Sequence, residues 1–219
     1  MDDIQIQKLV DKIRSQFEHD TSGHDWHHIM RVYRTSMHIQ QHEGGDAEII
    51  ALGALLHDIS DHKMNGGILN HGGIVTAGIL EEMGYPAETI AQVSLLVDNI
   101  SFKGANVNDK TISLEQQIVQ DADRLDAIGA IGIARAFAYG GHKNRPMYVP
   151  ETAPELHDSF EAYASSGTHT INHFYEKLLL LKDRMHTETA RKIAAARHDV
   201  MVRFLDQFYK EWNSEYRSH

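Results

Sequence analysis

Ile49-Ile50-Ala51-Leu52-Gly53-Ala54-Leu55-Leu56-His57-Asp58-Ile59-Ser60-Asp61-His62-Lys63 passes abruptly, at His57, from an almost wholly apolar run to a densely ionisable one. Apolar residues on every side from Ile49 to Leu56 predict a helix buried all round, and Asp46, following Gly44-Gly45, predicts its N-cap. Such a helix carries His57 and Asp58 into the interior. Burying a histidine beside a carboxylate costs on the order of a few kcal/mol unless each finds a partner, and a divalent cation satisfies both at once. A hydrogen-bonded structural pair at a helix end would also satisfy them. The choice depends on what else in the chain could complete a coordination shell.

The chain has 219 residues with no Pro- or Ser-rich linker, so one domain over residues 1–219 is expected. A composition of 42% hydrophobic and 24% charged residues is ordinary for a globular protein, and no apolar run nears the roughly 20 residues that span a bilayer. Met1-Asp2-Asp3-Ile4-Gln5 lacks the basic start and apolar centre of a signal peptide, and the absence of cysteine removes disulfides and thiolate ligands. A cytoplasmic location is the expectation. The net charge of −10 argues against general electrostatic binding to nucleic acid or to an anionic membrane. A phosphorylated small molecule would need local positive charge, from a metal or from a few placed Lys and Arg. The 16 histidines are too many all to be ligands, so spacing must choose among them.

Ile4, Leu9, Val10, Ile13 and Phe17 recur at helical intervals and predict a first amphipathic helix. After Ser22-Gly23, the segment from His24 leads into a second helix through Ile29, Val32, Tyr33 and Met37, in which His28 and Arg31 share a face. Asn65-Gly66-Gly67 and Gly72-Gly73 predict a loop, followed by a helix from Ile74 to Met83 closed by Gly84. Pro86 suits the first turn of another, running through Ile90, Val93, Leu96 and Val97. Ser113-Leu114-Glu115-Gln116 fits a capping box and predicts one long helix from Gln116 to Tyr139, stopped by Gly140-Gly141. Ile171, Phe174, Leu178 and Leu181 predict a further helix, and Thr187 opens a longer one containing Ile193, Val200, Phe204 and Phe208. These C-terminal helices, at about 157–214, are expected to complete the core. With no convincing strand alternation or internal repeat, the fold class is all-α, of about seven to nine helices.

Asp121, Asp123 and Asp126 stand within six positions of an otherwise apolar helix, which solvation does not explain. Asp123 and Asp126 project together, whereas Asp121 falls on the stripe of Ile118, Leu125 and Ile128, and helical geometry leaves open which one reaches a metal. His28, His57, Asp58 and a carboxylate of this segment, Asp123 among the three, would form a shell for one Mn²⁺, Fe²⁺, Co²⁺, Ni²⁺, Zn²⁺ or Mg²⁺ ion with positions left for water and substrate. Such an ion acidifies water and draws charge from a phosphoryl oxygen, as hydrolysis of a phosphate ester or anhydride requires. Asp61, one turn beyond His57 and Asp58, is a candidate to orient or deprotonate that water. Lys63, Arg31, Arg124 and Lys103 are candidates to neutralise phosphate oxygens, Lys63 joining Asp58 and Asp61 in the candidate catalytic group.

The ordered set of motifs resembles the HD-domain metal-dependent phosphohydrolase superfamily. More narrowly, it is similar to a bacterial subgroup through His24-Asp25-Trp26-His27-His28-Ile29-Met30-Arg31-Val32, His57-Asp58-Ile59-Ser60-Asp61, Ile100-Ser101-Phe102, the segment Val119 to Gly132, His173 to Leu179, and Met185-His186-Thr187. The resemblance covers nearly the whole chain, with the metal-site motifs within 24–126. It implies an α-helical HD fold, metal ligation by His28, His57, Asp58 and Asp123, and phosphohydrolase activity on a small phosphorylated substrate. Some relatives are nucleotide diphosphatases that release pyrophosphate from nucleoside triphosphates. Ile100 stands where many relatives carry a histidine, so one metal rather than two is expected. The runner-up activity is that of a 5′-nucleotidase or other phosphomonoesterase; from a different class comes a non-catalytic nucleotide- or metal-binding regulator on the same scaffold.

Overall fold

The computed structural model describes residues 3–17, 25–59, 71–100, 113–155 and 169–215. Among them are nine α-helices, one 3₁₀ helix and no strand. The helices are α1 (Asp3–Phe17), α2 (Trp26–Glu43), α3 (Ala47–Leu56), α4 (His71–Glu82), α5 (Ala87–Ile100), α6 (Leu114–Asp126), α7 (Gly129–His142), α8 (Thr170–Glu176) and α9 (Glu188–Trp212), with the 3₁₀ turn Leu178–Arg184 between the last two. The fold is all-α.

The apolar run becomes the central helix α3. Asp46 caps it, accepting hydrogen bonds from the amides of Glu48 at 2.8 Å and Ile49 at 3.2 Å. Ile50, Leu52, Leu55 and Leu56 are fully buried because α1, α2, α5 and α6 surround the helix. The core continues through Leu9, Ile29, Val93, Ile118, Leu125, Phe174 and Met201, so both ends of the chain contribute to it. Glu43, at the end of α2, accepts from the Thr189 amide at 2.6 Å and ties down the start of α9. No helix among the described residues is long and apolar enough to cross a membrane.

Three boundaries differ from the sequence expectation. The helix expected from Gln116 to Tyr139 is two: α6 stops at Asp126, Ile128 is extended (φ −124°, ψ 165°), and α7 begins at Gly129 with φ +78°. Apolar periodicity carries across this break, which is made by a left-handed glycine and by close approach of chain to chain. A Cβ on Gly132 would lie 2.2 Å from the Ala127 carbonyl oxygen, and one on Gly129 would lie 3.0 Å from the Arg197 side chain. The helix expected over Ile171–Leu181 ends at Glu176 and tightens into the 3₁₀ turn. Helix α4 starts earlier than expected, taking in Gly72 and Gly73, because Asp98 of α5 accepts from the Gly73 amide at 2.7 Å.

Candidate metal centre

His28 lies in the first turn of α2 and is fully buried; Asp25, the N-cap, accepts from its backbone amide at 2.7 Å and fixes where the helix begins. His57 sits at the C-cap of α3. Each imidazole is oriented through its far nitrogen. His57 Nδ1 is 2.8 Å from the Ala54 carbonyl oxygen, which can only accept, so Nδ1 carries the proton. His28 Nδ1 is 2.7 Å from Asp126 Oδ2. Asp126 in turn accepts from Arg31 Nε at 2.6 Å, Arg31 Nη2 at 3.0 Å and Arg135 Nη1 at 2.5 Å. Burial alone would raise the Asp126 carboxyl, but hydrogen bonds from His28 and Arg31, with the charges of His28 and Arg135, hold it far below the usual carboxylate range. It is therefore an ionised acceptor for the His28 Nδ1 proton.

With both rings neutral and their protons on Nδ1, the two Nε2 atoms present lone pairs to one another, 3.1 Å apart. Asp58 Oδ2 joins them at 3.2 Å from His28 and 3.3 Å from His57, and Asp123 Oδ1 at 3.5 Å and 3.9 Å. Four acceptors facing one point repel unless a cation lies among them. The spacing suits one: donors about 2.1 Å from a common ion stand about 3.0 Å apart at right angles and about 3.4 Å apart tetrahedrally. The chemistry of the set, two neutral imidazoles and two carboxylates, fits a divalent first-row metal. His28, His57 and Asp58 form a tight group by distance alone. The side chain of Asp58 is 14% exposed and that of Asp123 32%, so the cage opens to solvent on its carboxylate side.

The same field acts on protons. Burial lowers the affinity of His57 for a proton, but the charge and hydrogen bond of Asp58, the charge of Asp123 and the Ala54 carbonyl outweigh it and push the imidazole up to about 9. Burial likewise opposes charging His28, and its bonds to Asp126 and Asp58 reverse the balance to an upward shift. Positive charge is favoured between the two rings, where a metal and a proton compete.

The structure thus brings His28, His57, Asp58 and Asp123 together. Arg31 is nearby but commits Nε and Nη2 to Asp126. Arg124 is not brought to the cage: its Nη1 donates to the Arg184 carbonyl at 2.5 Å and lies 3.0 Å from His186 Nε2, and the residue is buried against the C-terminal segment. Asp61, Lys63 and Lys103 fall outside the described residues. Asp121 serves the fold, accepting from the amides of His186 and Thr187 and from Thr187 Oγ1, the last two at 2.8 Å. Sequence reasoning did not assign Asp25 or Arg135 a part in the site, and it kept Asp126 only as one of three carboxylates that could reach a metal. The spacing of Asp25 three residues before His28, typical of an N-cap, was a usable signal; Arg135, on a separate helix, carried none.

Residues 25–128, which include all four cage residues, match the HD domain family, and the chain belongs to it, a superfamily of metal-dependent phosphohydrolases. Among its relatives is YpgQ of Bacillus subtilis, 35% identical over 211 residues that cover 94% of this chain and 93% of YpgQ. A Lactobacillus plantarum protein of known structure superposes with a TM-score of 0.84 at 37% identity, covering 98% of this chain and 99% of the other. An HD-superfamily hydrolase from Bacillus thuringiensis follows with a TM-score of 0.74 at 41% identity, covering 95% and 96%. The crystal structure of B. subtilis YpgQ in complex with ADP has a TM-score of 0.72 at 33% identity, covering 92% of this chain and 97% of that one.

Proposed function

We propose that this chain, as a single helical domain, hydrolyses a phosphate ester or anhydride bond of a nucleotide, with release of pyrophosphate from a nucleoside triphosphate as its leading form. The observation that carries the reading is the set of inward-facing acceptors, His28 Nε2, His57 Nε2, Asp58 Oδ2 and Asp123 Oδ1, at 3.1–3.9 Å from the histidine nitrogens. The ADP bound to YpgQ supports a nucleotide as the ligand class.

His28, His57, Asp58 and Asp123 would hold one divalent ion, which when bound polarises a phosphoryl oxygen and acidifies water. The chain's own residues do the remainder. The far nitrogens of both histidines are tied down, so the rings hold their direction without reorganising. Asp58, in the cage yet partly open to solvent, is placed to accept a proton from the attacking water, with Asp61 as the second candidate. Lys63, Lys103 and the part of Arg31 outside its pairing with Asp126 are the groups proposed to meet phosphate oxygens. A cytoplasmic setting, where nucleotides are abundant and cysteine-free chains lose nothing, suits this role.

A panel of nucleoside tri-, di- and monophosphates assayed with several divalent metals, products resolved by chromatography, tests the proposal. Pyrophosphate with a nucleoside monophosphate is the expected product pair. Orthophosphate from monophosphates would instead identify a phosphomonoesterase. A metal-saturated protein inert on the whole panel would reject hydrolysis of nucleotides, and turnover lost in Asp58→Ala would exclude a purely regulatory role.

A further inference from the structure

We propose that Asp126 is the positioning residue that decides which nitrogen of His28 carries the proton, and that it does so in competition with Arg135. The inference rests on the reading of His28 as a metal ligand.

His28 Nδ1 has two polar neighbours of opposite kind. Asp126 Oδ2, which only accepts, is 2.7 Å away; Arg135 Nη1, which only donates, is 3.1 Å away. With the proton on Nδ1 the ring donates to Asp126 and keeps a lone pair on Nε2 for the cage. With Nδ1 bare it accepts from Arg135, and the proton sits on Nε2, aimed at His57 Nε2 3.1 Å away and at Asp58. Only the first tautomer can ligate. The carboxylate wins because it is closer and charged, and because it is clamped: Arg31 holds Oδ1 through Nε and reaches Oδ2 through Nη2, which turns Oδ2 toward the ring. Arg135 also donates to Oδ2, so while Asp126 is present this guanidinium supports the acceptor instead of capturing the imidazole. The side chain of Asp126 is 5% exposed, whereas those of Arg31 and Arg135 are 31% and 26% exposed, so the element that sets the tautomer is shielded and its clamps are not. Asp126 comes from the end of α6, Arg135 from α7 and His28 from α2, which makes the break at Gly129 part of the device.

The test compares wild type, Asp126→Ala, Arg135→Ala and the double variant. The readouts are Mn²⁺ affinity by calorimetry and the ¹⁵N shifts of the His28 ring in metal-free protein in alkaline buffer, where both imidazoles are neutral. Asp126→Ala is expected to weaken Mn²⁺ binding about 10–100-fold and to move His28 to the Nε2–H tautomer. Arg135→Ala alone is expected to leave both readouts near wild type. Removing Arg135 in the Asp126→Ala background is expected to recover most of the lost affinity, because the competing donor is gone; a merely structural salt bridge would lose more. Asp126→Asn, whose one carbonyl oxygen takes the place of Oδ2 where three donors converge, should keep the wild-type tautomer. A double variant no tighter than Asp126→Ala, or a wild-type His28 protonated on Nε2, would overturn the proposal, and the wild-type spectrum decides even if Asp126→Ala does not fold. Stoichiometric Mn²⁺ binding without nucleotide hydrolysis would sink the proposed function and leave this inference standing, whereas a wild type that binds no metal would sink both.

Discussion

Nε2 of His28 and Nε2 of His57 face each other at 3.1 Å, and each ring has its other nitrogen committed, to Asp126 in one case and to the Ala54 carbonyl in the other. Two lone pairs held in this opposition, with carboxylates of Asp58 and Asp123 beside them, make a site whose stable occupant is a cation.

Replacing a cage residue should cost more than replacing its support. His57→Ala and Asp123→Ala are each expected to lower metal-dependent turnover by more than the roughly 100-fold upper range for a supporting partner, with chelation of the wild type giving the same loss. Nucleotide hydrolysis at saturating metal, with helical content checked by circular dichroism, measures this. Either variant retaining half the wild-type rate would remove that residue from the cage.

Stability without metal should depend on pH in a definite direction. His28 and His57 are both raised from 6.5, His57 to about 9, so the contribution of each to stability is fully present below pH 6.5, and that of His57 is lost as pH rises through about 9. The melting temperature of chelator-treated protein should therefore fall across that window relative to the metal-saturated protein. Metal affinity should rise over the same range as the competing proton leaves. Parallel melting curves with and without metal, at constant separation from pH 6.5 to 9, would contradict the assignment.

Asp121 should matter to folding and not to the metal. Burial pushes its carboxyl above the usual range, yet it receives the His186 and Thr187 amides and the Thr187 hydroxyl. Asp121→Ala strands these donors and is expected to cost about 3 kcal/mol. For a chain of this size that corresponds to a melting temperature roughly 10 °C lower. Metal affinity of the folded fraction should stay within about twofold of wild type, a change too small to reflect a lost supporting partner.

Gly132→Ala should damage the break between α6 and α7. The added Cβ would fall 2.2 Å from the Ala127 carbonyl oxygen, a backbone atom that cannot swing aside. A loss of at least about 2 kcal/mol is expected, seen as a lower midpoint in denaturant unfolding. An unchanged midpoint would contradict a close approach of chain to chain at this turn.

The legible part of the molecule was the part written in local pattern. The unbroken apolar run Ile49 to Leu56 and the cap at Asp46 announced α3, and helical spacing found α1, α2, α5 and α9. The break after Asp126 was hidden because small and apolar residues continue through Ala127–Ala134, while the cause lies in Gly129 lodged against Arg197 of α9. The three aspartates illustrate the same limit. Their number signalled chemistry, but which faces the cage depends on partners remote in the chain: backbone amides at His186 and Thr187 claim Asp121, and Arg31 with Arg135 claims Asp126. A backbone donor has no signature in side-chain identity. Arg124 was misleading for a like reason, since its Nη1 donates to a backbone acceptor, the Arg184 carbonyl.

One ion is expected among four side chains drawn from three helical segments. The decisive experiment is a crystal structure of Mn²⁺-soaked protein with an anomalous difference map recorded at the manganese edge. A single strong peak is expected about 2.0–2.4 Å from His28 Nε2, His57 Nε2, Asp58 and Asp123. A peak elsewhere, or one that His28 or Asp123 does not touch, would contradict it.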